Sequence, residues 1–335
     1  MEAWNVMTAA NPGGSSRIVK ARWPLSLPPD RTPGDIDLLR KAVEQTALQA
    51  QYGWGHTIDF GPFRKDGLLG DKYLELVGLL DAWGWLPRDL SGAQIADIGC
   101  FTGGIAMLLA DRGAARVWAI DEVPEHLAQA QVVQDAFGVR NVTTVQASLY
   151  DLERTIAPES LDVVVLSGVL YHLSDMLAGL IVVQRLLKPG GTVLIETNAV
   201  EDFTHSYANF GRYFEGMWWQ PSALAVLDLI THAGLGSGEV RFYKPGRALA
   251  RATKPQDSSV PFKRGVNIDF PDRRDDVTRT RDAGLLAPAP SMASDTALVR
   301  RVLLRAWQRV FSTAIATGYG VVRRVRARQR GTSAE

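Results

Sequence analysis

Apolar residues recur along this chain with two different periods, and the change from one to the other divides it. Over residues 35–50 the apolar positions Ile36, Leu39, Val43 and Ala47 follow helical spacing and predict an amphipathic helix. A loop rich in glycine and aromatics covers 52–61, and a second helix is predicted over 71–83, with Tyr73, Leu76, Val77 and Leu80 on one face. From Gln94 the texture becomes short apolar runs alternating with helical patterns. The runs predict strands at 94–98, 117–121, 142–146, 161–166 and 192–196, with helices at 104–112, 124–137 and 175–187 between them. Strands apolar on both faces that alternate with helices predict a parallel sheet covered on both sides.

Further on, 221–233 reads as a helix stopped by Gly234. Residues 239–243, the turn Lys244-Pro245-Gly246-Arg247, and 248–253 read as strand, tight turn, strand. Such a hairpin adds one antiparallel strand to the sheet. Residues 254–295 are rich in Pro, Asp and Arg without periodicity, which suits a linker or surface loop. An arginine-rich helix is predicted from 296 to about 329. The expected organisation is an irregular lead-in (1–34), a helical cap (35–90), one Rossmann-like α/β domain (91–253) with a lid insertion at 198–220, a linker (254–295), and a basic amphipathic helix and tail (296–335).

Composition narrows the class. The chain has 335 residues, 46% hydrophobic and 22% charged, the balance of a globular protein. A net charge of +1 gives no overall signature of nucleic-acid binding. The single cysteine, Cys100, excludes an intramolecular disulfide and a four-thiolate zinc site. No cluster of His, Asp and Glu stands at metal-ligand spacing, so no metal is expected. No charged segment precedes an apolar one at the start, and no apolar run reaches roughly 18 residues; a cytoplasmic enzyme is the expectation. Charge is concentrated in nine arginines between Arg300 and Arg330. With Val299, Val302, Leu303, Ala306 and Val310 at helical spacing, three readings stay open: a solvated face packed on its own domain or a partner subunit, an anionic membrane surface, or RNA phosphate.

The candidate chemistry centres on Ala96-Asp97-Ile98-Gly99-Cys100-Phe101-Thr102-Gly103-Gly104, directly after one predicted strand and opening a helix. Glycines let the backbone approach a ligand closely, and a helix start offers unpaired N–H groups. Asp97 ends the strand before the turn. Asp121 ends the next strand, where a carboxylate can accept from ribose hydroxyls; otherwise it is a solvent-exposed strand-end acid or a cap for the helix that follows. The dinucleotide fingerprint G-x-G-x-x-G fails at its second glycine, where Phe101 stands, and an acid two residues before the first glycine suits a ligand carrying an α-amino group better than a pyrophosphate.

Together with Arg112-Gly113-Ala114-Ala115-Arg116-Val117-Trp118-Ala119-Ile120-Asp121, this stretch resembles class I S-adenosylmethionine-dependent methyltransferases. The likeness is greatest to the branch of bacterial tRNA wobble-uridine carboxymethyltransferase-like proteins and their small-molecule relatives. Gly55-His56-Thr57-Ile58-Asp59-Phe60, Ser167-Gly168-Val169-Leu170-Tyr171-His172-Leu173, Leu187-Lys188-Pro189-Gly190-Gly191, and Trp218-Trp219-Gln220-Pro221-Ser222 also match. The resemblance implies a mostly parallel seven-stranded sheet ending in an antiparallel hairpin, with S-adenosylmethionine as cofactor. It implies that Asp97, Gly99 and Gly103 line the methionine portion, Asp121 the ribose, Ser148 and Leu149 the adenine, and Ser167, Gly168 and Val169 the underside of the sulfonium. Cys100, Phe101 and Glu122 complete the cofactor set. Tyr171 and His172 would face the methyl group as catalytic residues. Of the lysine and tryptophan with which the tRNA enzymes hold a carboxylated cofactor, at most Lys72 stands here, which favours ordinary S-adenosylmethionine.

Aromatics crowd 198–220: Phe203, Tyr207, Phe210, Tyr213, Phe214, Trp218 and Trp219. With the loop 52–63 they are expected to form a lid and acceptor pocket, or else an auxiliary core patch. His56, Tyr207, Tyr213, Trp218 and Trp219 are the candidate acceptor contacts. His56 and His205, both in predicted loops near the entrance, are further candidate bases. The expected function is methyl transfer to an O or N of a small aromatic or apolar acceptor. The alternatives are a tRNA-modifying methyl- or carboxymethyltransferase, with the arginine helix gripping phosphate, and a non-catalytic module that binds the same cofactor.

Overall fold

Residues 20–211 and 217–257 are described by a computed structural model; the expectations for the arginine-rich helix, for most of the linker and for Tyr213 and Phe214 lie outside the described residues. The first described residues lack regular structure, yet Trp23, Leu25 and Leu27 pack against the core, so this part of the lead-in is anchored. Helix α1 (Pro33–Gln49) starts two residues before the apolar pattern does. Thr32 accepts the Asp35 N–H while Asp35 accepts that of Thr32, a reciprocal cap that satisfies two helix-end donors. A short hairpin, β1 (Ile58–Asp59) with β2 (Arg64–Lys65), precedes α2 (Lys72–Ala82).

The α/β alternation then follows: β3 (Gln94–Ile98), α3 (Gly104–Asp111), β4 (Arg116–Asp121), α4 (Pro124–Phe137), β5 (Val142–Gln146), β6 (Leu161–Ser167), α5 (Met176–Leu186) and β7 (Leu187–Asn198). A small hairpin, β8 (Ala208–Phe210) with β9 (Trp219–Pro221), is followed by α6 (Ala223–His232), β10 (Gly236–Lys244) and β11 (Arg247–Thr253). The seven-stranded sheet has the order β10-β11-β7-β6-β3-β4-β5. All its pairings are parallel except those of β11, which runs antiparallel to both neighbours.

Two corrections concern backbone. The Leu187-Lys188-Pro189-Gly190-Gly191 motif, a turn by its residue types, belongs to β7: Leu161 pairs with Leu187 and Val163 with Thr192, so Lys188 to Gly191 bulge out beside a continuous strand. The linker expected from residue 254 begins anchored. Lys254 is buried, its ammonium donating to the Leu187 carbonyl and to Glu159.

Side chains alternate across the sheet although both faces are apolar. Val163 and Val165 of β6 face one core with α3, α4 and the cap residues Val43, Trp54, Phe60 and Val77; Val164 and Leu166 face the other, with α5 and α6. Among the described residues no helix is long and apolar enough to cross a membrane.

Candidate active site

The chain turns one way from β3 to β4 and β5 and the other way to β6 and β7, so a crevice opens beyond the carboxyl end of β3, where open α/β sheets bind ligands. Here stands Asp97, only 1% exposed, with its Oδ2 accepting the Ala106 N–H of α3 at 3.0 Å. Burial, reinforced by the charge of Asp121, pushes its carboxyl up to about 7. The chain then turns sharply, the N–H groups of Gly99 and Cys100 both donating to the Ile120 carbonyl. Gly99 has φ +73°, and a Cβ there would lie 2.3 Å from Val169 Cγ2; only glycine fits this conformation against the end of β6. Gly103, at φ +75°, caps α3. The Cys100 side chain points into the core instead, where burial raises its thiol, so its backbone alone borders the crevice.

Asp121 ends β4 and gathers three partners. Its Oδ2 accepts the Phe101 N–H at 3.0 Å, its Oδ1 accepts the Val123 N–H at 3.0 Å, and His126 Nδ1 lies 3.1 Å from the same oxygen. The cap of α4 is Val123, which removes the helix-capping alternative for Asp121. Phe101 holds a left-handed backbone, φ +53°. Its ring meets His126 edge-on at 4.2 Å and His56 at 5.7 Å.

Of the two readings of the loop 52–63, lid or core patch, its middle takes the second. Trp54, Gly55, His56, Thr57, Ile58 and Phe60 are buried, and the His56 N–H donates to Thr102 Oγ1 at 2.9 Å. Gln129 accepts from Gly55 and donates to the Gly53 carbonyl, tying the cap to α4. His56 therefore lies over the glycine turn rather than at an entrance. Burial, with the charges of His126 and Lys72, lowers its imidazole to about 3, which disqualifies it as a base near neutral pH.

On the other side of the crevice, Gly168 follows β6 at φ +72° and donates its N–H to the Glu196 carbonyl. Tyr171 and His172 lie in a 3₁₀ turn, 170–172, their rings 4.3 Å apart; Tyr171 is half-buried and His172 exposed. Glu196, 5% exposed, receives the Arg247 guanidinium through both oxygens and the Tyr243 hydroxyl at 2.6 Å. The same guanidinium lies over the Tyr171 ring at 5.2 Å. Lys72 is exposed as a whole residue, yet enough protein surrounds its ammonium, and Lys244 and Arg247 stand close enough, to push it below the usual lysine range.

Ser148 is half-buried after β5, Leu149 turns its side chain into the core, and Glu122 is exposed, its carbonyl accepting from Gln146. The β8–β9 hairpin is fastened to the 170–172 turn. Trp218 donates its N–H to the Tyr171 carbonyl, and Trp219 Nε1 donates to the Ser174 carbonyl, each at 2.9 Å. Phe210 and Trp218 leave broad ring area exposed, and Tyr207 bonds through its backbone to Ser222. His205 is exposed and pairs with Asp202 at 3.3 Å. Among the described residues no group of three or more His, Cys, Asp or Glu is placed to hold a metal ion.

A family model described as a methyltransferase domain matches residues 96–195. The chain is 32% identical over 151 residues to the tRNA U34 carboxymethyltransferase of Desulfotalea psychrophila, an alignment covering 44% of this chain and 46% of that protein. It thus spans about half the length of that relative. With the enzyme of the same name from Methylococcus capsulatus, identity is 26% over 84% of each chain. With the ubiquinone biosynthesis O-methyltransferase of Pseudomonas syringae pv. tomato it is 32% over 168 residues, 44% of this chain and 71% of that one. The chain belongs to the class I S-adenosylmethionine-dependent methyltransferases.

The residues present fit the cofactor of such a methyltransferase. Asp97 is a desolvated carboxylate with one N–H partner, short of the cation that an α-ammonium would supply. Gly99 forms a cradle that a Cβ would fill. Asp121, bonded three times, keeps acceptor capacity for a hydroxyl. His126, Gln129, Glu196 and Arg247 were not singled out from the sequence. Glu196 carries a signal in retrospect, as the acid closing an otherwise apolar run. His126 carries one as a histidine in the first helical turn after Asp121.

Proposed function

We propose that this methyltransferase moves the methyl group of S-adenosylmethionine to an O or N of a small aromatic or apolar acceptor held beneath the β8–β9 hairpin. The observation that carries the reading is the pair of strand-end carboxylates on either side of the Gly99 turn, one desolvated without a cation and one held by a ring of N–H donors. In this reading Asp97, Gly99 and Gly103 take the methionine portion and Asp121 the ribose. The Ser148 and Leu149 backbone flanks the adenine, and Ser167, Gly168 and Val169 pass beneath the sulfonium. The cofactor supplies a carbon already activated by positive sulfur, so the protein's task is alignment and exclusion of water. In this reading Tyr171, beside the Arg247 guanidinium, and the exposed His172 border the acceptor, with His172 as the base for an alcohol acceptor. Trp218 and Phe210 offer flat apolar faces for stacking.

Calorimetric titration with S-adenosylhomocysteine tests the cofactor assignment, and no binding at millimolar ligand to folded protein would retire it. Tracing labelled methyl from the cofactor into a cell extract, with mass spectrometry of the product, identifies the acceptor. The tRNA reading is favoured by the tRNA U34 carboxymethyltransferases among the relatives. It requires an RNA affinity that falls steeply with salt, and a salt-independent association removes it.

A further inference from the structure

We propose that Asn198 and Gln220 form the specificity-determining polar contact of the acceptor site, and that the group they recognise is an uncharged hydroxyl, which donates and accepts at once. This rests on the placing of a small aromatic acceptor beneath the β8–β9 hairpin. Asn198 is the last residue of β7 and Gln220 the middle residue of β9, so their amides meet where the hairpin lies on the sheet. Gln220 Nε2 donates to Asn198 Oδ1 at 2.8 Å. Gln220 is only 7% exposed, yet among the described residues its Oε1 receives no donor. Asn198 Nδ2 has for an acceptor only the Met217 sulfur, at 3.9 Å, and a thioether accepts weakly. Both amides are neutral, so this inventory does not depend on protonation. Turning both of them over exchanges their roles and leaves the same remainder, one carbonyl oxygen and one N–H flanking a single bond.

That remainder lies among the residues that border the acceptor. Asn198 pairs in register with Arg247 of β11, whose guanidinium lies over the Tyr171 ring. Met217, which Asn198 touches, precedes Trp218, and the Trp218 N–H donates to the Tyr171 carbonyl. Contacts therefore run in a closed ring through Asn198, Met217, Trp218, Tyr171 and Arg247. The charge in this ring is already matched, since Arg247 gives its guanidinium to both oxygens of Glu196. The groups that still lack a strong partner are the two amides. Buried polar groups of native proteins find partners, and a few such groups in an otherwise apolar pocket fix the orientation of a ligand. A carboxylate or a ketone satisfies the Asn198 N–H and leaves the Gln220 carbonyl unmet; an ammonium does the reverse. A hydroxyl satisfies both, accepting from Asn198 and donating to Gln220. The exposed Trp218 ring offers the flat face for the rest of the molecule.

The test titrates the full chain, saturated with S-adenosylhomocysteine, with three flat probes of one ring system: 2-naphthol, its methyl ether 2-methoxynaphthalene, and 2-naphthoate, each followed by saturation-transfer NMR. In the wild type the naphthol is expected to bind about tenfold more tightly than the ether or the carboxylate, because a site built to bond a hydroxyl rejects analogues that leave its polar groups unpaired. Asn198→Leu and Gln220→Leu are each expected to reduce that preference to less than about threefold, with S-adenosylhomocysteine affinity within about twofold of wild type. Equal binding of naphthol and ether by the wild type overturns the proposal and leaves the aromatic-acceptor reading standing. So does a preference that survives both variants. Equal weakening of all three probes by the variants shows that the amides only fasten the hairpin, and overturns it as well, as does a failure of every probe to bind at millimolar concentration. If a leucine variant does not fold, Gln220→Met, of nearly the same shape as the native side chain, replaces it, and the wild-type comparison alone is enough to overturn the proposal. Absence of S-adenosylhomocysteine binding by the folded wild type is seen in the first titration and defeats the cofactor assignment, and this proposal with it.

Discussion

Replacing Asp97 by Asn should make the protein more stable, and only above a certain pH. Asp97 is buried and its carboxyl is pushed from the ordinary 3.8 up to about 7, chiefly by loss of solvent. The unfolded chain releases this proton near 3.8 and the folded chain near 7, so the native state loses stability as pH rises through that interval. At 1.36 kcal/mol for each tenfold change in proton affinity, the loss reaches roughly 4 kcal/mol at its ceiling. Asn keeps an oxygen for the Ala106 N–H and does not titrate. The stability difference between Asp97→Asn and wild type is therefore expected to be near zero at pH 4 and to favour the variant by a few kcal/mol at pH 8. His56 moves the opposite way: lowered to about 3 by burial, it contributes stability above about 6.5 that is lost as pH falls. The raw wild-type curve mixes the two effects, whereas the difference curve cancels His56. Urea denaturation followed by circular dichroism at each pH gives that curve. A difference constant within about 0.5 kcal/mol from pH 4 to 8 would refute the desolvated carboxylate. Saturating S-adenosylhomocysteine, whose ammonium supplies the missing cation, should narrow the difference, and Asp97→Asn should bind that ligand more weakly at pH 8.

Three further outcomes are expected. Gly99→Ala places a Cβ 2.3 Å from Val169 Cγ2 at φ +73°, and should cost about 2–4 kcal/mol in denaturation experiments; adding Val169→Ala should return only part, because the backbone strain stays, and full recovery would show that strain to be negligible. Arg247→Met leaves Glu196 buried without its guanidinium, a loss of about 3–5 kcal/mol that a second change, Glu196→Gln, should largely restore; an unmoved melting temperature for the single variant contradicts this. Trp219→Phe keeps the contact with Phe210 and removes the bond to the Ser174 carbonyl, so the acceptor KM should rise about fivefold with S-adenosylhomocysteine affinity unchanged; parallel losses in both would attach Trp219 to the cofactor instead.

Sequence periodicity was sufficient for elements whose burial is local and regular. Residues 94–98, 124–137 and 142–146 are a strand, a helix and a strand with the bounds that their pattern predicts. Strand-end acids could be read for the same reason, since Asp97 and Asp121 take their places from the strands that carry them. The β8–β9 hairpin could not, because three residues such as Ala208-Asn209-Phe210 are too few to show a period. Lys188-Pro189-Gly190-Gly191 has turn chemistry and lies along a strand all the same, because a bulge accommodates Pro and Gly. The segment around Trp54 and Phe60 carries two readings, lid or auxiliary core patch, because an irregular aromatic run looks alike in both. What decides it is the His56 to Thr102 hydrogen bond, between residues 46 apart in the chain. Arg247 reaches Glu196 across 51 residues, and no local pattern announces such a pairing.

The position of β11 orders events during synthesis. β10 leaves the ribosome first, but its place is at the rim of the sheet, and β11 is the piece that joins it to β7. Until residues 247–253 arrive, β7 shows an unpaired edge and Glu196 lacks its counter-charge. A nascent chain paused at the turn 244–247 therefore carries a sticky border beside an unfinished crevice. Residues 247–253 thus both close the edge of β7 and bring Arg247 to Glu196.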